Sequence, residues 1–246
     1  VLYDLHGNPV DAVADEQEAI RQALRHPIGS APLKDVVQAG DTVAIIVSDI
    51  TRLVHTAQML PVIVDELNQA GVRDEQITVV TAQGTHRAHT PEEDVTVCGE
   101  DMVKRVKVVS HDCRDASQLT KIGTTTHGND VYLDSHVVQA DKVILTGAVS
   151  FHPMAGFGGG RKAVLPGVAS YETIMRNHAM ALTDTFGGGC NPRCETSLLE
   201  DNPLHDDMKQ AAALLNPCFL VNTVFSADGD LYEASAALVR CLEKRL

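Results

Sequence analysis

Three short runs, 43–48, 77–82 and 143–149, are apolar at most positions rather than at alternate ones. Such runs suit strands of a parallel sheet covered by helices on both faces, not strands with one wet face. Each is followed at once by a polar cluster. Asp49-Ile50-Thr51-Arg52 follows the first, and Gly84-Thr85-His86-Arg87 the second. His152-Pro153-Met154 follows the third and leads into Gly156-Phe157-Gly158-Gly159-Gly160-Arg161-Lys162. In an open α/β sheet, ligands bind in the crevice beyond the carboxyl ends of the strands, so the clusters are expected to share one pocket.

The stretches between these runs read as helices. Ile20 and Leu24 lie four apart within 15–26, and His26-Pro27-Ile28-Gly29 stops that helix. A second helix is expected over 57–70, ending at Gly71. Pro91 with Glu92, Glu93 and Asp94 reads as another helix start. Ser170 can cap a helix through 182, Pro203–Leu215 forms the next, and 231–246 is expected as an amphipathic helix. Shorter strands are placed at 106–109, 131–133 and 219–224. The alternation predicts an α/β fold with a Rossmann-like, doubly wound, mainly parallel sheet. Residues 1–230 are expected to form the α/β lobe, with 231–246 leading away from it.

A net charge of −13 on 246 residues argues against nucleic-acid and anionic-membrane surfaces. Any anionic ligand must then be held locally, by groups such as Arg52, Arg161 and Lys162. No apolar run approaches the roughly 20 residues that cross a bilayer, and no signal-like segment opens the sequence. The sequence begins at Val1 rather than Met, so a preceding segment is expected. Six dispersed cysteines lack the density of a small secreted framework and favour reduced thiols in the cytoplasm. Cys190 and Cys194 form a C-x3-C pair open to metal binding or a local disulfide, without a second pair at zinc-finger spacing.

The glycine-rich loop lets the backbone approach a ligand closely, and Arg161 and Lys162 add charge suited to phosphate or carboxylate. It matches neither the G-x-x-x-x-G-K-[ST] nor the G-x-G-x-x-G pattern, and it also reads as a plain glycine hinge. His86 and His152 each follow a different strand and can face one crevice as an acid/base pair, an arrangement suited to racemisation or epimerisation. Arg52 is a natural carboxylate partner and Asp49 a partner for sugar hydroxyls, unless the turn is only a capped surface loop. His178, four residues after Ile174 within a helix, reads by spacing alone as a structural histidine.

Taken together, the segments resemble the nickel-dependent lactate racemase family. The matching stretches are HPIGSAPL (26–33), SDITR (48–52), TAQGTHR (81–87), SHD (110–112), IGTTTHG (122–128), HPMAGFGGGRKAVLPGVASYETI (152–174), NH (177–178) and NPLHDDM (202–208). They cover nearly the whole chain in one order, and the long segment around Lys162 is the most specific. The resemblance implies the N-terminal lobe of a two-lobe enzyme that racemises or epimerises a lactate-like 2-hydroxy acid. It implies a nickel-pincer nucleotide tethered at Lys162, loaded by cofactor-biosynthesis proteins, with His178 as a nickel ligand. Asp49, Thr51, Gly158, Gly159, Gly160 and Arg161 are then cofactor contacts, Arg52 the substrate-carboxylate partner, and His86 and His152 the catalytic pair. The implied chemistry is hydride transfer to and from the cofactor, which avoids deprotonating a carbon beside a carboxylate. Pro153 and Met154 stand where many lactate racemases have bulkier aromatics, so a 2-hydroxy acid other than lactate fits as well. The chain is shorter than the family's usual length, and alone it is expected to fold without turning over substrate. The competing expectations are a nucleotide-binding oxidoreductase or isomerase with a diffusible cofactor, and a non-catalytic ligand-binding homologue.

Overall fold

The computed structural model describes residues 10–183, 185, 187–226 and 228–237. In chain order the helices are α1 (Glu16–Arg25), α2 (Leu33–Val36), α3 (Thr56–Gln69), α4 (Pro91–Cys98), α5 (Glu100–Arg105), α6 (Ser135–Val138), α7 (Tyr171–Ala179) and α8 (Pro203–Leu215). The strands are β1 (Val43–Ser48), β2 (Ile77–Ala82), β3 (Lys107–Ser110), β4 (Leu119–Thr124), β5 (Asp130–Asp134), β6 (Lys142–Ala148), β7 (Phe151–His152), β8 (Gly156–Phe157), β9 (Phe219–Phe225) and β10 (Leu231–Ala237).

Six strands form one sheet in the order β10-β9-β6-β1-β2-β3, parallel except for the antiparallel β10–β9 pair. The chain winds outward from β1 to β3, returns to place β6 beside β1, and winds outward the other way. This reversal between β1 and β6 is the topological switch point of a doubly wound sheet, where a crevice opens beyond the strand ends.

Burial on both faces accounts for the uninterrupted apolar runs. Val43, Ile45 and Val47 pack with residues of α1 and α3 on one side. Ala44 and Ile46 pack on the other with Leu145, Val164, Leu204 and Met208. Helix starts follow local chemistry. Asp15 caps α1, Thr90 and Glu93 form a capping box ahead of Pro91, and Ser170 and Asn202 cap α7 and α8.

Several expectations change. The helix expected over 231–246 is a strand over Leu231–Ala237; residues 238–246 lie outside the described residues. Pairing with β9 decides this, because Leu231, Ala236 and Ala237 are buried at the sheet edge while the pairing satisfies the backbone. Residues 231–237 therefore belong to the sheet of the lobe. The 131–133 run lies in a separate β4–β5 hairpin rather than in the main sheet. Helix α7 ends at Ala179, short of 182.

Candidate active site

A cleft of about 950 Å³ opens at the switch point, beyond the carboxyl ends of β1, β2, β6 and β9. Its walls include Asp49, Thr51 and Arg52 after β1, His86 after β2, and His152, Gly158, Gly159 and Lys162 after β6. His178 enters from α7. Of the expected catalytic, substrate, cofactor and metal residues, Gly160 and Arg161 do not line it.

Asp49 begins a turn in which its carbonyl accepts from the Arg52 amide (3.1 Å). Its carboxylate is 5% exposed. One oxygen accepts from the Thr51 hydroxyl (2.7 Å) and the other from His86 Nδ1 (2.6 Å). A carboxylate can only accept, so His86 carries its proton on Nδ1 and leaves the Nε2 lone pair available. Histidine and carboxylate are 37 residues apart in sequence and meet only because β1 and β2 are adjacent.

His152 is held the opposite way. Its Nδ1 accepts the backbone N–H groups of Met154 (3.3 Å) and Ala155 (3.0 Å) in the β7–β8 turn. The neutral ring therefore bears its proton on Nε2, 3.4 Å from Lys162 Nζ. Burial, then the charges of Lys162 and Arg52, lower its pKa to about 4. The two imidazoles are thus unlike: one presents an acceptor, the other a donor.

Lys162 sits in a single turn over Gly160–Ala163. Burial, reinforced by Arg161 and Arg52, lowers its amine to about 8. On α7, His178 donates from Nδ1 to the Ile174 carbonyl (3.0 Å), which leaves Nε2 as a lone-pair nitrogen. Burial lowers the His178 pKa, against the opposing effect of that bond.

The glycines have a steric reason. Gly159 has φ +74°, and a Cβ there would lie 2.9 Å from Asn222 Oδ1 and 3.0 Å from the Ala148 carbonyl oxygen. The Gly160 amide faces Asn222 Oδ1 (3.3 Å), joining the loop to β9. Arg161, expected as a cofactor contact, does not line the cleft. It is 5% exposed, and its guanidinium donates to the carbonyls of Ala155 (2.8 Å) and Phe157 (3.3 Å). A buried guanidinium needs several acceptors, and the β7–β8 segment provides two of them.

Two structural supports lie in the matching stretches SHD and NPLHDDM, but the sequence alone assigns them no role. Asp207 on α8, fully buried, accepts from Thr125 (2.6 Å), Asn129 (2.9 Å) and Asn177 (2.9 Å), tying α8 to the residue before His178. His111, also buried, bonds Asp134 and the Ala169 carbonyl, both at 3.0 Å. Both nitrogens have a partner, so this ring braces the segment beneath the loop from two edges. Cys190 and Cys194 are free thiols, and Cys194 is buried against Met180 and Asn202. Among the described residues, no group of three or more His, Cys, Asp or Glu side chains could hold a metal ion, and no helix is long and apolar enough to cross a membrane.

Residues 2–187 match the family defined as the lactate racemase N-terminal domain. The chain belongs to that family. It is 34% identical over 221 residues to a lactate racemase of Thermoanaerobacterium thermosaccharolyticum, covering 90% of this chain and 50% of the relative. It is 37% identical over 213 residues to a lactate racemase of Lactiplantibacillus plantarum, covering 87% and 49%. The chain thus spans about half the length of the curated relatives it matches. The solved lactate racemase apoprotein from T. thermosaccharolyticum superposes with a TM-score of 0.86 at 31% identity, over 99% of this chain and 58% of that one. A protein from Thermotoga maritima shares the fold alone, with a TM-score of 0.73 at 21% identity over 98% and 59%. This lactate racemase-family chain corresponds to one lobe of the longer racemase apoprotein.

Proposed function

We propose that this chain is the cofactor-bearing lobe of a 2-hydroxy-acid racemase acting on lactate or a close analogue. The observation that carries the reading is the meeting of His86, His152, Lys162 and His178 in one cleft. A nickel-pincer nucleotide fits the residues present. Lys162 is a buried amine whose lowered pKa makes it a competent nucleophile for tethering. His178 offers a lone-pair nitrogen of the kind nickel accepts, with its other nitrogen anchored. Gly158 and Gly159 leave backbone surface where a side chain would collide with Ser150, Ala148 or Asn222. When bound, the group supplies the acceptor and donor of hydride.

The protein's own part is to hold substrate and move protons. Arg52 binds the carboxylate and fixes the second carbon between the histidines. His86 Nε2 takes the hydroxyl proton, and the Asp49 carboxylate stabilises the resulting imidazolium. His152, as Nε2–H, donates a hydrogen bond to the substrate oxygen from its own side and keeps its proton, and the proton held on His86 is the one returned to that oxygen. For His152 to accept a proton in turn, the Met154 and Ala155 amides must release its Nδ1. A second lobe completes the site in this reading: Leu53 and Phe151, 54% and 71% exposed, leave an apolar lip for it to cover.

The test is to produce the full-length protein beside the family's cofactor-making enzymes, weigh the Lys162 peptide, and assay racemisation across a panel of 2-hydroxy acids. A mass adduct on Lys162 with bound nickel and racemisation is expected. An unmodified Lys162 under conditions that load a known lactate racemase overturns the proposal.

A further inference from the structure

The cleft contains a histidine–carboxylate pair, and directly behind it lies a second one. His89 has a side chain only 2% exposed, and its Nδ1 donates to Asp94 on α4 (3.0 Å). A ring donating to a carboxylate through Nδ1 has a lone pair on Nε2. That lone pair accepts the backbone N–H of Ile50 at 3.1 Å. Ile50 N–H belongs to the peptide joined to Asp49, whose carbonyl is held by the Arg52 amide (3.1 Å). Both ends of that one peptide plane are therefore fixed, one by the turn and one by His89.

The consequence runs to both functional side chains of the turn. The orientation of this peptide sets where the Asp49 carboxylate stands, and it must stand 2.6 Å from His86 Nδ1 to choose that ring's tautomer. It also sets where the turn ends, hence the direction in which Arg52 leaves. The strut is stiff because each member is anchored. The Asp94 carboxylate is carried by a helix whose first turn is locked by the Thr90–Glu93 capping box. The His89 amide faces the Ser110 hydroxyl (3.3 Å) at the end of β3. His89 thus joins β3, α4 and the two loops after β1 and β2.

The geometry points to His89 as a positioning residue that holds the Asp49 turn so that Asp49 fixes the proton of His86 and Arg52 faces substrate. Its catalytic consequence rests on the racemase reading above; its structural content does not.

The experiment uses the full-length apo protein with selective 15N-histidine labelling, and follows the downfield Nδ1 proton of His86, assigned by its loss in His86→Gln. His89→Gln can still accept from Ile50 and donate to Asp94, and is expected to keep the resonance. His89→Leu fills similar space without an acceptor, and is expected to lose it while the far-UV circular dichroism stays native. In the loaded enzyme, His89→Leu should lower kcat by on the order of ten- to a hundredfold, with His89→Gln much closer to the parent. An unchanged His86 resonance in His89→Leu overturns the inference. If His89→Leu fails to fold, hydrogen exchange at the Ile50 amide of the parent protein decides. Protection supports the strut and free exchange overturns it. Loss of the resonance in a protein that racemises nothing would keep the strut and remove the proposed function, so the two failures are distinguishable.

Discussion

Burial beside two guanidinium groups brings the Lys162 amine to about 8, so at pH 7 about a tenth of it is neutral, against well under a thousandth for a free lysine. Reaction of the apo protein with an amine-selective acylating reagent should therefore label Lys162 ahead of the exposed lysines, with a midpoint near pH 8 by peptide mass spectrometry. The same shift carries a sign for stability. The folded pKa lies below the unfolded one, so between about 8 and 10.5 the unfolded chain binds the extra proton and folding gains with rising pH. Lys162→Met should flatten that rise in denaturation curves recorded across the window. At this scale the sequence was only partly readable. The types and order of Arg52, His86, His152, Lys162 and His178 already marked the cleft, and the resemblance alone lifted His178 above a structural histidine. The pairing of Asp49 with His86 was hidden, because adjacency of strands, not sequence spacing, creates it. The inward turn of Arg161 was hidden too: a cation next to a lysine gives no sign of which way it points.

The glycine loop is the element whose shape most directly depends on one position. Gly159→Ala must hold an L-residue at φ +74° while its methyl meets an acceptor on each side. A loss of about 1–3 kcal/mol is expected, read from the urea midpoint of the lobe, with Gly187→Ala, whose added methyl meets nothing within 4 Å, costing less. Among the elements, β1, β2, β6 and β9 were legible because they are buried on both faces, and α1, α4 and α8 because Asp15, Pro91 and Pro203 mark their starts. β10 was not. Its alanines and serine have no strong preference, and only the exposed edge of β9 decides between strand and helix. The β4–β5 hairpin was half seen, since Thr120, Lys121 and Gly123 interrupt the apolar pattern of the first strand.

For the molecule as a whole, the two core layers on either side of one sheet predict cooperative folding of this lobe by itself. The isolated chain is expected to unfold in a single transition, with coincident fluorescence-independent probes such as circular dichroism and calorimetry. It is also expected to show no racemisation even when coexpressed with cofactor-making enzymes, because in the proposed reading a second lobe must cover the apolar lip at Leu53 and Phe151 to close the cleft. Turnover by the lobe alone would show that these residues suffice. The doubly wound plan was evident from the alternation of strands and helices, and with it the convergence of three remote clusters. The position of the switch point between β1 and β6 was not, since strand order is decided by which crossovers pack best.

The Asp207 clamp reaches further than its own neighbourhood. By riveting Asn129 of the hairpin, Asn177 of α7 and its own helix to a single carboxylate, it makes the perch of His178 part of the rigid body rather than an appendage. If His178 is the nickel ligand of the proposed function, the incoming metal would meet a nitrogen already standing still, and binding would not have to freeze a wandering helix first. Loosening that rivet should show itself as sluggish or incomplete metallation well before it shows as loss of fold.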